Sequence, residues 1–187
     1  MSTEKTLIQK TINGDQAAFR QLMNLFARRI YALAFDLAGD QYDAEDLTQE
    51  VFIKMYRNLE QFRGESTVYT WLHRITINTW LNMKNSKLYK NKKMEMSIDE
   101  EDLYQEKQMQ LVINQTEITD FQKHIEFSLN KLSKKEKIAF VLRHYHEQSI
   151  KEIAQTTGLT SGTIKSLLFR AVKKLRKNMS YYNQEVA

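Results

Sequence analysis

The chain runs 187 residues without a single proline and with only five glycines. Ordinary usage would supply about 9 prolines and about 13 glycines in that length. Proline and glycine break helices and build the tight turns of hairpins. A chain nearly free of both can run in long helices and has little from which to make a turn-rich β fold. The expected fold is all-α: two small helical domains joined by a flexible charged linker, the second domain containing a helix-turn-helix.

The glycines fall where such a fold needs them. Gly14, Gly39, Gly64 and Gly158 stand between stretches of helical periodicity, and only Gly162 lies inside one. From Ala17, apolar residues recur at three and four (Phe19, Leu22, Met23, Phe26, Ile30, Leu33, Ala34, Leu37), which predicts an amphipathic helix ending near Gly39. Further helices are expected over about 43–60 and 67–84. Polar, charge-blocked sequence without periodicity follows, and helical pattern returns within 107–130. Ser133–Glu136 and Ser149–Glu152 both have the Ser-x-x-Glu form of a capping box. The second opens a short helix that Gly158 ends, and Thr160 stands ready to cap a last helix reaching about Asn178. The expected division is 5–86, a linker over 87–118, and 119–180.

Charge is uneven. Residues 1–118 hold 15 Lys and Arg against 17 Asp and Glu; residues 119–187 hold 13 against 6. The last third, at +7, has the footprint of a phosphate-backbone binder. Six acids without a base occupy 36–50, five lysines without an acid occupy 84–93, and six acids without a base occupy 94–106. The 94–106 block, beside a +7 segment, suggests competition with DNA for the basic segment in the free protein. With no cysteine, disulfides, thiolate metal sites and cysteine nucleophiles are excluded. The polar start MSTEKTLIQK does not read as a signal peptide, and no apolar run approaches the ~18 residues of a membrane span. A soluble cytoplasmic protein without direct membrane insertion is expected.

Three constellations carry chemistry. In the last helix, Ile164, Leu167, Leu168, Ala171, Val172 and Leu175 share an arc of about 140°. The opposite side holds Thr163, Lys165, Ser166, Phe169, Arg170, Lys173, Lys174, Arg176 and Lys177. After a short capped helix and a tight turn, this is the pattern of a DNA-reading helix whose first turns meet base edges. Lys165 and Arg170 can reach base acceptors or phosphates, and Phe169 a thymine methyl; the plainer alternative is a surface helix in a helical hairpin. In the helix over 43–60, one face is apolar (Ala44, Leu47, Val51, Phe52, Met55, Leu59). The other presents Asp43, Asp46, Gln49, Glu50 and Arg57 around a stranded Ile53. An acidic surface with an apolar centre suits a protein partner better than DNA, though a solvated face would look similar. In 62–84, Phe62, Tyr69, Trp71 and Trp80 interleave with Arg63, His73, Arg74, Asn78 and Lys84, the mixture that holds unstacked bases. Core packing competes for Trp71, Leu72 and Ile75, and both readings stay open for Asn78 and Trp80.

Catalytic motifs are absent: no HExxH, P-loop, GxGxxG or GxSxG. Asp43, Glu45, Asp46 and Glu50 spread over more than one helix face, which does not suit a metal site.

In this order, the stretches GDQAAFRQLM, AEDLTQEVFIKMYRNLEQF, FRGESTVYTWLHRITINTWLN and LNKLSKKEKIAFVLRHYHEQSIKEIAQTTGLTSGTIKSLLFRAVKKLR resemble the extracytoplasmic-function (ECF) σ factors of bacterial RNA polymerase. The resemblance implies a non-enzymatic, cofactor-free subunit that binds core polymerase, recognises promoter DNA and takes no small-molecule substrate. It implies that Asp43, Asp46, Gln49, Glu50, Ile53 and Arg57 lie on the helix that docks on the polymerase clamp helices. It implies that the loop Phe62, Arg63, Gly64, Glu65, Ser66 to Tyr69, with Arg74, Asn78, Trp80 and Lys84, serves the −10 element, where a flipped base is captured. It implies that Ser161, Gly162, Thr163, Lys165, Ser166, Phe169, Arg170 and Lys173 read the −35 element. It further implies an anti-σ partner, often membrane-anchored. One departure stands out: KSLLFR occupies 165–170 where the family commonly has KSRLxR, so Leu167 replaces a basic residue and, by periodicity, edges the core. The rival reading is a stand-alone helix-turn-helix regulator whose N-terminal helices dimerise; an enzyme is the remote third.

Overall fold

The computed structural model describes residues 3–86 and 120–185. Among these, eight α-helices and one short 3-10 turn account for nearly all regular structure: α1 (Thr3–Ile12), α2 (Gln16–Ala38), α3 (Gln41–Asn58), the turn Leu59–Gln61, α4 (Val68–Asn85), α5 (Asp120–Asn130), α6 (Lys134–His144), α7 (Ile150–Thr157) and α8 (Ser161–Glu185). The all-α expectation holds. The linker over 87–118 and the acid block over 94–106 lie outside the described residues.

Local chemistry sets the helix ends. Asp15 caps α2 by accepting from the Ala17 and Ala18 amides at 2.9 and 3.0 Å. Gly39 ends it in the left-handed region (φ 84), its N–H returning to the Phe35 carbonyl at 2.8 Å. Asp40 caps α3 through the Asp43 amide. Both Ser-x-x-Glu boxes close: Ser133 N–H donates to Glu136 at 3.0 Å and Ser149 N–H to Glu152 at 2.8 Å, and each serine hydroxyl accepts the glutamate amide. Two departures from the sequence reading concern helix extent. Residues 3–12 form α1, which the pattern beginning at Ala17 did not include. The last helix continues past Asn178 to Glu185, because nothing after Asn178 is a glycine or proline that would stop it.

The described residues of Met1–Trp80 and Val141–Ser161 form one compact unit, and those of Leu81–Phe140 and Gly162–Ala187 form the other. This grouping crosses the sequence boundaries at Val141–Ser161. The first unit is cored by Leu22, Phe26, Ile30, Leu33 and Leu37 of α2, by Leu47, Val51 and Met55 of α3, and by Leu72 and Ile77 of α4, with Val141, Leu142 and Ile153 also buried. Each such side chain contributes about 1.5–3 kcal/mol by leaving water. In the second unit Leu129, Leu132 and Ala171 form a core flanked by Ile125, Phe140 and Leu175.

Candidate functional site

On α3 the periodicity divides as expected: Ala44, Leu47, Val51, Phe52 and Met55 are buried, and Asp46, Gln49, Ile53 and Arg57 are exposed. Asp43 and Glu50 are half-buried, and Glu50 pairs with Lys54 at 3.4 Å. Ile53 is 37 % exposed. At 100° per residue, Tyr42 and Tyr56 fall on the same stripe as Ile53, and both are more than half exposed. The sequence reading passed over them, because tyrosine fits a core as well as a surface; the signal was their helical spacing from Ile53.

The loop before α4 exposes Arg63, Gly64 and Glu65 and half-buries Ser66. Gly64 has φ 72, a backbone conformation that side chains disfavour. The Phe62 ring packs on Trp71 with centroids 5.2 Å apart. Tyr69 lies over His73 at 4.1 Å, and the Arg29 guanidinium sits 5.0 Å from its centroid. Burial pushes the Tyr69 hydroxyl pKa up, partly opposed by the Arg29 charge. Arg74 donates from Nε to the Gln155 carbonyl at 3.1 Å. Asn78 is exposed and Lys84 half-buried. Trp80 is different. It is 4 % exposed and its indole N–H is buried without a hydrogen-bond partner. As folded here, its ring belongs to the core and offers no face to an unstacked base.

His73, singled out only as a basic neighbour of the aromatics, is fully buried. Its Nδ1 lies 2.7 Å from the Gln148 amide nitrogen. Burial first, then His146 and Arg29, lower its pKa to about 3.

On α8 the two faces separate cleanly. Ile164, Leu167 and Ala171 are buried; Ser161, Gly162, Thr163, Lys165, Ser166, Phe169, Arg170 and Lys173 are all exposed. Phe169 is 71 % exposed, a large apolar ring in the middle of a basic surface. Leu167, standing where the related pattern has a base, is in the core as its period implied. The helix begins at Ser161, three residues past Gly158 in the left-handed region (φ 71).

Comparison with known proteins decides the family. The sequence matches Sigma-70 region 2 over residues 22–87 and Sigma-70, region 4, over 125–175. It is 30 % identical to the ECF RNA polymerase sigma-E factor of Escherichia coli K12, covering 90 % of both chains. It is 31 % identical to the ECF RNA polymerase sigma factor SigE of Mycolicibacterium smegmatis, over 93 % of this chain and 67 % of that one.

The chain belongs to the ECF σ factors of the sigma-70 family.

This σ factor is accordingly an alternative specificity subunit that directs transcription initiation. Two solved structures share its fold: CnrH in complex with the cytosolic domain of CnrY (TM-score 0.65, 18 % identity, 96 % of this chain and 99 % of that one) and RpoE of Bartonella quintana with the anti-sigma factor NepR (TM-score 0.59, 24 % identity, 87 % and 96 %). Region 2 of the σ factor contains the α3 face and the loop–α4 residues, and region 4 contains all of α6 and α7 and the −35 candidates of α8. No described helix of the σ factor is long and apolar enough to cross a membrane.

Proposed function

We propose that this σ factor divides its work between three surfaces. The exposed stripe of α3 (Asp43, Asp46, Gln49, Glu50, Ile53 and Arg57, flanked by Tyr42 and Tyr56) docks on the clamp helices of core polymerase. An apolar centre ringed by acids gives shape-specific contact with electrostatic register, and exposed tyrosines are enriched in such interfaces. The loop Phe62–Tyr69 with Arg74, Asn78 and Lys84 engages the −10 element and holds an extruded base; unstacking that base costs a few kcal/mol, which a fitted pocket offsets. The exposed side of α8 from Ser161 to Lys173 enters the major groove at −35. Trp80 is left out of direct DNA contact, since its burial supports a core role.

The observation that carries the reading is α8: buried Ile164, Leu167 and Ala171, with half-buried Leu168, Val172 and Leu175 beside them, back an exposed basic face, preceded by a capped eight-residue helix and a left-handed glycine. Lysines along this face position the protein on phosphates; Arg170 and Phe169 supply base discrimination. The functional domains divide as 5–86 and 119–180 around the 87–118 linker. The polymerase performs the chemistry, the σ factor having no catalytic site or cofactor of its own, and the complex works in the cytoplasm. An anti-σ protein covers the same surfaces in the inactive state; RpoE of Bartonella quintana, which shares the fold, was solved with one.

Run-off transcription tests the whole. Purified chain added to core polymerase on genomic fragments should produce a new set of discrete start sites. Unchanged start sites, or failure to co-migrate with core enzyme, would overturn the reading.

A further inference from the structure

We propose that Glu136 is a positioning residue for promoter reading: its buried carboxylate, clamped by Lys174, anchors the inner end of the Arg170 guanidinium so that the outer end is presented to a −35 base edge. The proposal rests on the assignment of Arg170 to the −35 element.

The Glu136 side chain, on α6, is 4 % exposed, whereas both α8 cations facing it are half exposed or more. Its Oε2 accepts from Lys174 Nζ at 2.7 Å and from the Ser133 amide at 3.0 Å. Its Oε1 faces Arg170 Nε at 3.8 Å. The carboxylate is therefore held by one oxygen and meets the arginine with the other. Burial pushes the Glu136 carboxyl up, but the hydrogen bonds from Lys174 and Ser133 and the Lys174 charge outweigh it and leave the group below the usual carboxylate range, ionised at neutral pH.

Two simpler roles leave this charge unexplained. The α6 capping box needs only an acceptor for the Ser133 N–H, and glutamine supplies one. Attraction to phosphate is weakened, not helped, by an anion beneath the reading helix. What the charge adds is order. Arginine is long and rotamer-rich, and a guanidinium already biased by an ion pair at its Nε side loses less freedom when its remaining donors engage a base. With Nε turned to Glu136, the two terminal nitrogens remain for the paired acceptors that guanine presents in the major groove.

The test uses the full chain reconstituted with core polymerase and a double-stranded promoter library randomised over the −35 and −10 elements, with bound DNA sequenced. Arg170→Ala should flatten the preference at one −35 position by ~5- to 100-fold. Glu136→Gln, which keeps the capping acceptor, should flatten that same position by at least ~3-fold, leaving the other −35 positions and all −10 preferences as in the wild type. Added to Arg170→Ala, it should change nothing more. A Glu136→Gln profile identical to wild type overturns the proposal. So does a loss spread evenly over the −35 element, or a further loss in the Arg170→Ala background, since either marks a merely structural role. If Arg170→Ala itself leaves every position unchanged, the assignment of Arg170 falls, and the proposal with it.

Discussion

The amide nitrogen of Gln148 meets Nδ1 of His73 at 2.7 Å in a buried environment. An amide N–H₂ can only donate, so Nδ1 must accept, and a protonated imidazole would place donor against donor. The contact therefore selects neutral His73, in line with its pKa of about 3. Unfolded, the same imidazole takes up a proton near pH 6.5. Between these values the unfolded chain binds more protons, so stability must fall as pH drops below about 6.5 and keep falling toward the folded-state value. The slope from this one residue approaches ~1.4 kcal/mol per pH unit. Urea unfolding at pH 7.5, 6.5 and 5.5 should show the decline, and His73→Gln should flatten it. Equal slopes in both proteins would remove His73 as the cause.

The α3 stripe makes a separable prediction. Asp46 is exposed and Glu50 half-buried with only a surface ion pair to Lys54, so charge reversal at both should change stability by no more than ~1 kcal/mol. Like charges brought together across an interface cost far more. Asp46→Lys with Glu50→Lys should weaken binding to core polymerase by about tenfold or more, measured by competition with a labelled σ factor, while the melting temperature stays close to wild type. Retained affinity would remove this face from the interface.

Asn78 and Trp80 are two residues apart on α4 and separate by burial. Asn78→Ala removes an exposed amide and should leave folding and duplex binding intact while impairing strand opening, read as reduced permanganate reactivity at −10. Trp80→Ala empties a core position and should cost about 3–5 kcal/mol, read by unfolding. A Trp80→Ala protein of normal stability would contradict its placement in the core.

The legible parts of the sequence were those where one physical rule acts alone. The three-and-four spacing of Leu22, Phe26, Ile30 and Leu33 foretold their burial, and Ser149–Glu152 foretold a capped start, because amphipathic period and capping are local. Leu167 followed its period into the core although the related pattern has a base there. Trp80 was ambiguous because an aromatic on a mixed helix satisfies a core and a stacking platform equally. Glu136 read only as the fourth residue of a capping box; its contacts with Lys174 and Arg170 span 38 and 34 residues, and no local rule reports a pairing at that range. His73 and Gln148, 75 residues apart, were hidden for the same reason.

Gly158 lies between α7 and α8 at φ 71, with open space where a Cβ would stand. Steric conflict with neighbours is therefore absent, and the cost of Gly158→Ala is the left-handed backbone alone, about 1–2 kcal/mol. Chemical unfolding should show that loss. Gly158→Asn should recover part of it, since asparagine tolerates this conformation better than alanine. Equal losses would mean the backbone relaxes out of the left-handed region when glycine is replaced.

Phe169 gives the sharpest contrast within the reading helix. At 71 % exposure its ring contributes little to folding, so Phe169→Ala should leave stability within ~0.5 kcal/mol. Arg170→Ala should weaken −35 binding by ~1–3 kcal/mol and relax discrimination at one base pair. Phe169→Ala should instead erase a preference for thymine, because its partner is the methyl group; replacing that thymine with uracil in the duplex should mimic the mutation in the wild-type protein. Salt titration divides the two further. Loss of Phe169 should leave the slope of affinity against salt unchanged, whereas Lys173→Ala should reduce it by about one ion and weaken all sequences alike. A Phe169→Ala protein that still distinguishes thymine from uracil would exclude the ring from the groove.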